Sequence, residues 1–183
     1  MSVTLILLAV VPLIAFAIAD AVAGLKTGVF TAITLSLLLF AANWYLLGFF
    51  DPTSLIEPVF FIILGFASLR VKNSLYFKFQ PVVVNVLTAL LLAGFQIAGQ
   101  PLLVKWAPAM DKVMPPEMQG VLLNPQVQVK LSQISHVLIY VLLVHALWVG
   151  YVALKKSNWA WVTARLLGYP LLLGAVVLVM LIP

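Results

Sequence analysis

The chain has 183 residues, of which 64% are hydrophobic and only 8% are charged, and it contains no Cys. Soluble domains carry about a quarter of their residues as charged side chains. This composition therefore excludes a soluble enzyme, a nucleic-acid-binding domain and a disulfide-stapled secreted module. The formal net charge of +5 is spread over the predicted loops, as is typical of topology signals and lipid-headgroup contacts.

Apolar runs fill most of the sequence, and a helix needs about 20 such residues to cross a bilayer. We predict an all-α fold, a polytopic transmembrane helical bundle of five to six spans that forms a single domain over residues 1–183. The predicted spans are residues 3–19, 28–50, 54–69, 82–98, 131–154 and 159–182, with a long connection at residues 99–130.

The number of spans, five or six, depends on whether the first apolar run crosses the membrane. Pro12 permits a re-entrant or surface segment there as well as a crossing helix. Ala17-Ile18-Ala19 has the small-x-small pattern that precedes signal-peptide cleavage, but no Lys or Arg comes before the apolar run. The missing basic residues favour a retained helix over a cleaved signal peptide, and five or six spans remain open.

The long connection contains an amphipathic segment in which apolar residues surround Lys105, Asp111 and Lys112. Two structures fit this pattern: a short helix lying in the membrane interface, or an irregular loop that folds back onto the bundle. We expect Pro108 to end or kink such a helix.

The sequence lacks the His-Glu-x-x-His, Gly-x-Ser-x-Gly and phosphate-loop spacings of common catalytic and metal sites. His136 and His145 are nine residues apart, which places them on opposite faces of one helix. We expect each to form a hydrogen bond between helices. The sequence thus predicts a non-enzymatic protein with no catalytic residues, no metal site and no cofactor.

One candidate site is an intramembrane polar stripe on the fourth span. Its members are Asn85, Thr88 and Gln96, whose spacing puts them on one helix face. Such a stripe favours packing between helices, and a solute pathway is the alternative.

The other candidate site is a basic rim, formed by the ends of spans one, three, four and six on one side of the membrane. Its members are Asp20, Arg70, Asn73, Lys78, Gln80 and Arg165. Asp20 is the acid among them and a candidate partner for Arg70 or Arg165. Two interpretations remain open: a site that holds a lipid phosphate or an acidic stretch of a partner, and a solvated rim that only fixes orientation.

Short motifs along the chain resemble those of a known family. Asn73-Ser74-Leu75-Tyr76-Phe77-Lys78-Phe79-Gln80-Pro81, directly after an apolar helix with Gly65-Phe66-Ala67-Ser68-Leu69, resembles the central motif of the bacterial intracellular septation protein A family. Further pieces occur in the expected order: Pro12, Pro101-Leu102, Lys130-Leu131, Trp159 and Arg165-Leu166-Leu167-Gly168. Departures at Gln80, Ser132 and His145-Ala146 indicate a divergent member.

The resemblance implies a multi-pass protein of the bacterial inner membrane that supports septation and cell-envelope synthesis through partner proteins of division or wall synthesis, or through lipids. It also implies a cytoplasmic long connection. The charge count opposes this orientation, because seven of the ten basic residues lie on the other side in a six-span arrangement. A small transporter or lipid-handling protein, and an accessory subunit of a larger membrane complex, are the alternative functions.

Overall fold

The computed structural model describes residues 3–47, 55–112 and 114–182. Every regular element in these ranges is a helix, so the all-α prediction is confirmed. The predicted span ends at residues 48–50 and 54 lie outside the described residues. By length and composition, four helical segments of the described chain suffice to cross a membrane: Leu25–Ala42, Leu75–Ile97, Pro125–Lys155 and Asn158–Leu181. Val11–Ala23 and Pro58–Val71 are shorter apolar helices.

The chain divides into two compact units. The first unit comprises Met1–Pro81 and Val149–Leu166, and the second comprises Val82–Trp148 and Leu167–Pro183. The helices in chain order are α1 (Val3–Ala23), α2 (Leu25–Leu47), α3 (Ile56–Val71), α4 (Leu75–Lys78), α5 (Gln80–Ile97), α6 (Leu102–Asp111), α7 (Pro125–Lys155), α8 (Asn158–Leu166) and α9 (Gly168–Leu181). Short 3-10 turns at Pro116–Met118 and Val121–Leu123 lie between α6 and α7.

In the first unit, α1 and α2 form a helical hairpin. Helix α1 continues through Pro12, and Gly24 alone separates the two helices. Gly24 has φ +83°, a left-handed conformation that glycine adopts without strain. Gly28 then lies directly against α1, because a Cβ there would be 2.9 Å from the Cβ of Asp20. Helix α3 approaches α2 as closely at Gly65, where a Cβ would be 2.7 Å from Cγ1 of Val29.

The core of the second unit brings together α5, α6 and α7. Its buried residues are Ala89, Leu92, Leu102 and Leu142, with Phe95, Leu138, Ile139 and Leu172 packed around them. Residues 102–111 are helical, so the irregular-loop alternative is wrong for this segment, and the helix does not end at Pro108. Trp106 and Met110 on α6 are exposed. The placement of α6 in a membrane interface stays a prediction.

Several helix boundaries differ from the predicted spans, and two of the differences have a clear local cause. Helix α7 begins at Pro125, earlier than the predicted Leu131, because Oδ1 of Asn124 accepts the N–H of Gln126 at 2.9 Å and proline suits the first helical position. The predicted last span is divided into α8 and α9 at Leu167. Pro170 explains the division. Proline has no N–H to donate to the helix, and its ring would clash with the carbonyl of the residue four positions earlier in a regular helix.

Candidate functional site

Four of the six residues predicted for the basic rim take part in one cluster of the first unit. Oδ2 of Asp20, near the end of α1, accepts a hydrogen bond of 2.6 Å from Nδ2 of Asn158 at the start of α8. The Asp20 carboxylate is also close enough to attract the ammonium group of Lys78. Nη1 of Arg165 donates to Oε1 of Gln80. We call Asp20, Lys78, Gln80, Asn158 and Arg165 the polar junction.

Two residues of the polar junction, Lys78 and Gln80, are buried, and the other three are half-buried. Lys78 is 8% exposed and Gln80 is 2% exposed. Nε1 of the fully buried Trp161 donates to the backbone carbonyl of Lys78 at 2.9 Å. The guanidinium of Arg165 is 6.0 Å from the ring centroid of Phe61, at cation–π distance. The junction therefore links α1, α3, α4, α5 and α8, and it leaves little of Lys78 or Gln80 on the surface for a partner.

An aromatic cluster supports the polar junction. Phe77 on α4 is fully buried, and its ring stacks on Phe16 with centroids 4.2 Å apart and on Phe61 at 5.1 Å. Trp161 packs edge-on against Phe16 at 5.9 Å. These rings come from four helices, so the cluster fixes the helix ends that carry the polar residues.

The other two rim residues, Arg70 and Asn73, lie apart from the junction in an exposed turn between α3 and α4. We use "exposed turn" for residues 70–76. Oγ of Ser68 accepts the N–H of Phe77 at 2.7 Å, and Oδ1 of Asn73 accepts the N–H of Leu75 at 2.9 Å. Within the described part of the chain, the guanidinium of Arg70 has no hydrogen bond or ion pair. The turn is thus held at both ends while Arg70 faces outward from the protein.

The three residues of the polar stripe lie in the second unit and differ in burial and hydrogen bonding. Nδ2 of Asn85 and Nδ1 of the buried His145 form a hydrogen bond of 2.8 Å, which confirms the predicted interhelical bond of His145. Thr88 is exposed. Oε1 of Gln96 is buried and has no hydrogen-bond partner among the described residues. A pathway along the stripe stays a prediction.

Sequence reasoning missed Asn158 and Trp161. The family motif drew attention to Trp159, which is 53% exposed, while Trp161, two residues later, is fully buried. The only available signal was the Asn-Trp-Ala-Trp run after Lys156 and Ser157, in which an N-terminal Asn marks a helix start. Across residues 3–47, 55–112 and 114–182, no three His, Asp or Glu side chains are grouped so as to hold a metal ion.

The amino-acid sequence matches the model of one known protein family. The family model described as intracellular septation protein A matches residues 5–182, nearly the whole chain. The chain belongs to the intracellular septation protein A family. Searches of curated proteins and of solved structures found no match. The resemblance carried by the short motifs is therefore confirmed, and the polar junction, aromatic cluster and exposed turn are features of an intracellular septation protein A family member.

Proposed function

We propose that this septation-family protein is a non-enzymatic, multi-pass protein of the bacterial inner membrane that supports septation and cell-envelope synthesis by contacting partner membrane proteins and lipids. The observation that carries the proposal is the family match over residues 5–182. The four helical segments with the length and composition of membrane spans support the multi-pass placement.

The exposed turn is the surface that we assign to a protein partner. Arg70 and Asn73 are exposed, and Val71 and Tyr76 are 53% and 43% exposed. Arg and Tyr are enriched among the residues that dominate binding energy at protein interfaces. The hydrogen bond from the Phe77 N–H to Oγ of Ser68 restrains the turn before binding. The turn therefore loses little conformational freedom when a partner binds, which favours affinity.

The polar junction supports a scaffolding role. Its amide, carboxylate and guanidinium groups form hydrogen bonds between helices of the same unit, and the Asp20 carboxylate attracts the Lys78 ammonium group. Polar groups that are bonded to one another in this way stabilise one arrangement of the helix ends that carry them. The junction therefore supports the exposed turn, and the turn supplies the contact with the partner.

Replacing Arg70 tests this proposal. Arg70→Glu reverses the charge of the exposed turn, and a like-charge contact with an acidic partner should weaken binding by at least about tenfold. In a bacterium that lacks its own family member, we expect Arg70→Glu to reach normal abundance in the membrane but fail to restore normal cell length and septum spacing.

Lys156→Glu is the matched control. It makes the same change of charge at an exposed residue of the first unit, beyond the end of α7. We expect it to restore septation fully. Equal complementation by both variants would remove the exposed turn from the proposal.

A further inference from the structure

A groove in the first unit combines an apolar floor with two lysines. It has a volume of about 450 Å³ and is lined by Leu25, Lys26, Phe30, Leu69 and Lys72. A second groove of about 540 Å³ shares Lys26 and Phe30 with it and extends along α2 to Leu35, with Thr27, Thr31 and Thr34 also in its lining. The two grooves together follow α2 from its first turn toward its middle.

The two lysines lie at one end of this path, at the ends of two apolar helices, where a membrane setting would place them near lipid headgroups. Lys26 is the second residue of Leu25–Ala42, a segment with the length and composition of a membrane span, and Lys72 follows the last residue of α3. Both side chains are exposed. Among the described residues neither ammonium group has a hydrogen bond or ion pair. The two positive charges are therefore available to an anionic ligand that enters from the membrane interface.

Each lysine carries a local cost, which is electrostatic for Lys26 and conformational for Lys72. Lys26 lies in the first turn of α2, where the helix dipole disfavours a cation. Lys72 has φ 55° and ψ 38°, a left-handed conformation at a helix end where glycine or asparagine is usual. It is also the one non-glycine residue with positive φ in the described ranges. The positive charge of Lys72 is itself favourable at the C-terminus of α3, so the cost there lies in the backbone conformation alone.

The apolar part of the path has the length of a lipid tail in one leaflet. From Lys26 to Leu35 the helix rises about 13 Å, close to half of the ~30 Å hydrocarbon core of a bilayer. Phe30 and Leu69 line the part nearest the lysines. Oγ1 of Thr27 donates to the carbonyl of Ala23 at 3.2 Å, so this hydroxyl is already satisfied within the helix. Two lysines beside Phe30, Leu69 and Leu35 suit an occupant that joins a negative headgroup to an apolar chain.

We propose that this groove binds one anionic phospholipid, with its phosphate between the ammonium groups of Lys26 and Lys72 and an acyl chain along Phe30 and Leu35. The lipid site rests on the proposed function for its membrane setting, and it shares Lys72 with the exposed turn. It is tested on different residues, because Arg70 does not line the groove. If lipid binding is absent while septation depends on Arg70, only the lipid site fails. If the lipid binds while septation does not depend on Arg70, only the proposed partner surface fails.

The test measures lipid affinity on the full chain, purified in dodecyl maltoside, by native mass spectrometry during titration with dioleoyl phosphatidylglycerol or dioleoyl phosphatidylcholine. The two lipids share their acyl chains and differ in headgroup charge. We expect phosphatidylglycerol to bind at least about tenfold more tightly, because each lysine contributes about fivefold to binding of an anionic lipid. Equal affinity for the two lipids would overturn the proposal.

Variants locate the bound lipid. Lys26→Gln combined with Lys72→Gln should weaken phosphatidylglycerol binding about 25-fold, as the product of the two contributions. Lys26→Arg keeps the charge and should retain the affinity. Lys155→Gln combined with Lys156→Gln is the matched control, since it removes two exposed lysines of the same unit outside the groove. An equal loss in the control pair would show general charge attraction and overturn the site.

Two further outcomes identify other occupants. Glycerophosphoglycerol, which has the phosphodiester headgroup and its single negative charge without acyl chains, should not displace the lipid at equal concentration. Complete displacement would mean that a free phosphate is the ligand, and it would overturn the role of Phe30 and Leu35. If the Lys26→Gln and Lys72→Gln pair dissociated a dimer without changing lipid affinity, the groove would belong to a second copy of the chain.

Discussion

Phe77→Ala is expected to cause a large loss of stability, because Phe77 is the ring on which the aromatic cluster is built. Its two stacked contacts, at 4.2 and 5.1 Å, are each worth about 0.5–1.5 kcal/mol. Truncation also leaves a cavity, and buried Phe→Ala changes cost about 3–5 kcal/mol in total. Lipid tails are as apolar as the protein interior, so the loss here is mainly one of packing. We therefore expect the lower end, about 3 kcal/mol, which is more than about 100-fold in the unfolding equilibrium.

The assay is the midpoint of thermal unfolding of the purified chain in detergent, followed by the loss of the monodisperse peak in size-exclusion chromatography. For a chain of this length 1 kcal/mol corresponds to about 2–4 °C, so the midpoint should fall by about 6–12 °C. Phe66→Ala is the control, because Phe66 is 54% exposed and its edge-on contact with Phe30 spans 6.4 Å. Shifts of equal size in the two variants would refute the reasoning that the aromatic cluster holds these helix ends together.

The remaining predictions concern two close contacts. Gly168→Ala would place a Cβ 2.7 Å from Nε2 of His145, so we expect the free energy of unfolding to fall by about 1–3 kcal/mol, as measured by thermal unfolding. Gly174→Ala is the control, because nothing lies within 4 Å of the added Cβ, and it should be neutral or stabilising. Trp161→Phe should cost about 1–3 kcal/mol, since the buried carbonyl at the end of α4 loses its donor. Trp159→Phe at an exposed position should cost less than about 0.5 kcal/mol. Equal effects within either pair of variants would contradict the corresponding contact.

The helical membrane fold could be predicted from composition and run length, because a bilayer leaves few alternatives for long apolar segments. The family could be predicted from short motifs around residues 65–81. The division of the last predicted span at Leu167 was not predicted, although Pro170 in the sequence carries the reason. The early start of α7 was likewise signalled by Asn124-Pro125, a polar residue followed by proline at the first helical position.

The candidate site was harder to predict than the fold. Helix alternation placed Asp20, Lys78 and Arg165 at the same level of the membrane, but their partners depend on the rotation of each helix. Run lengths do not determine that rotation. Thus Asn158, which donates to Asp20, was missed, and Lys78 was treated as a surface charge although it is buried. The exposed position of Arg70 and the groove beside Lys26 likewise emerge only from packing between helices.

Recovery of membrane partners tests the central claim most directly. The tagged chain is purified gently from the bacterial membrane, and co-purifying proteins are quantified by mass spectrometry for the wild type, Arg70→Glu and Lys156→Glu. The account predicts that division or wall-synthesis proteins are recovered with the wild type and with Lys156→Glu, and are reduced at least about tenfold with Arg70→Glu. Recovery of the same proteins in equal amounts with Arg70→Glu, or of none with the wild type, would contradict it.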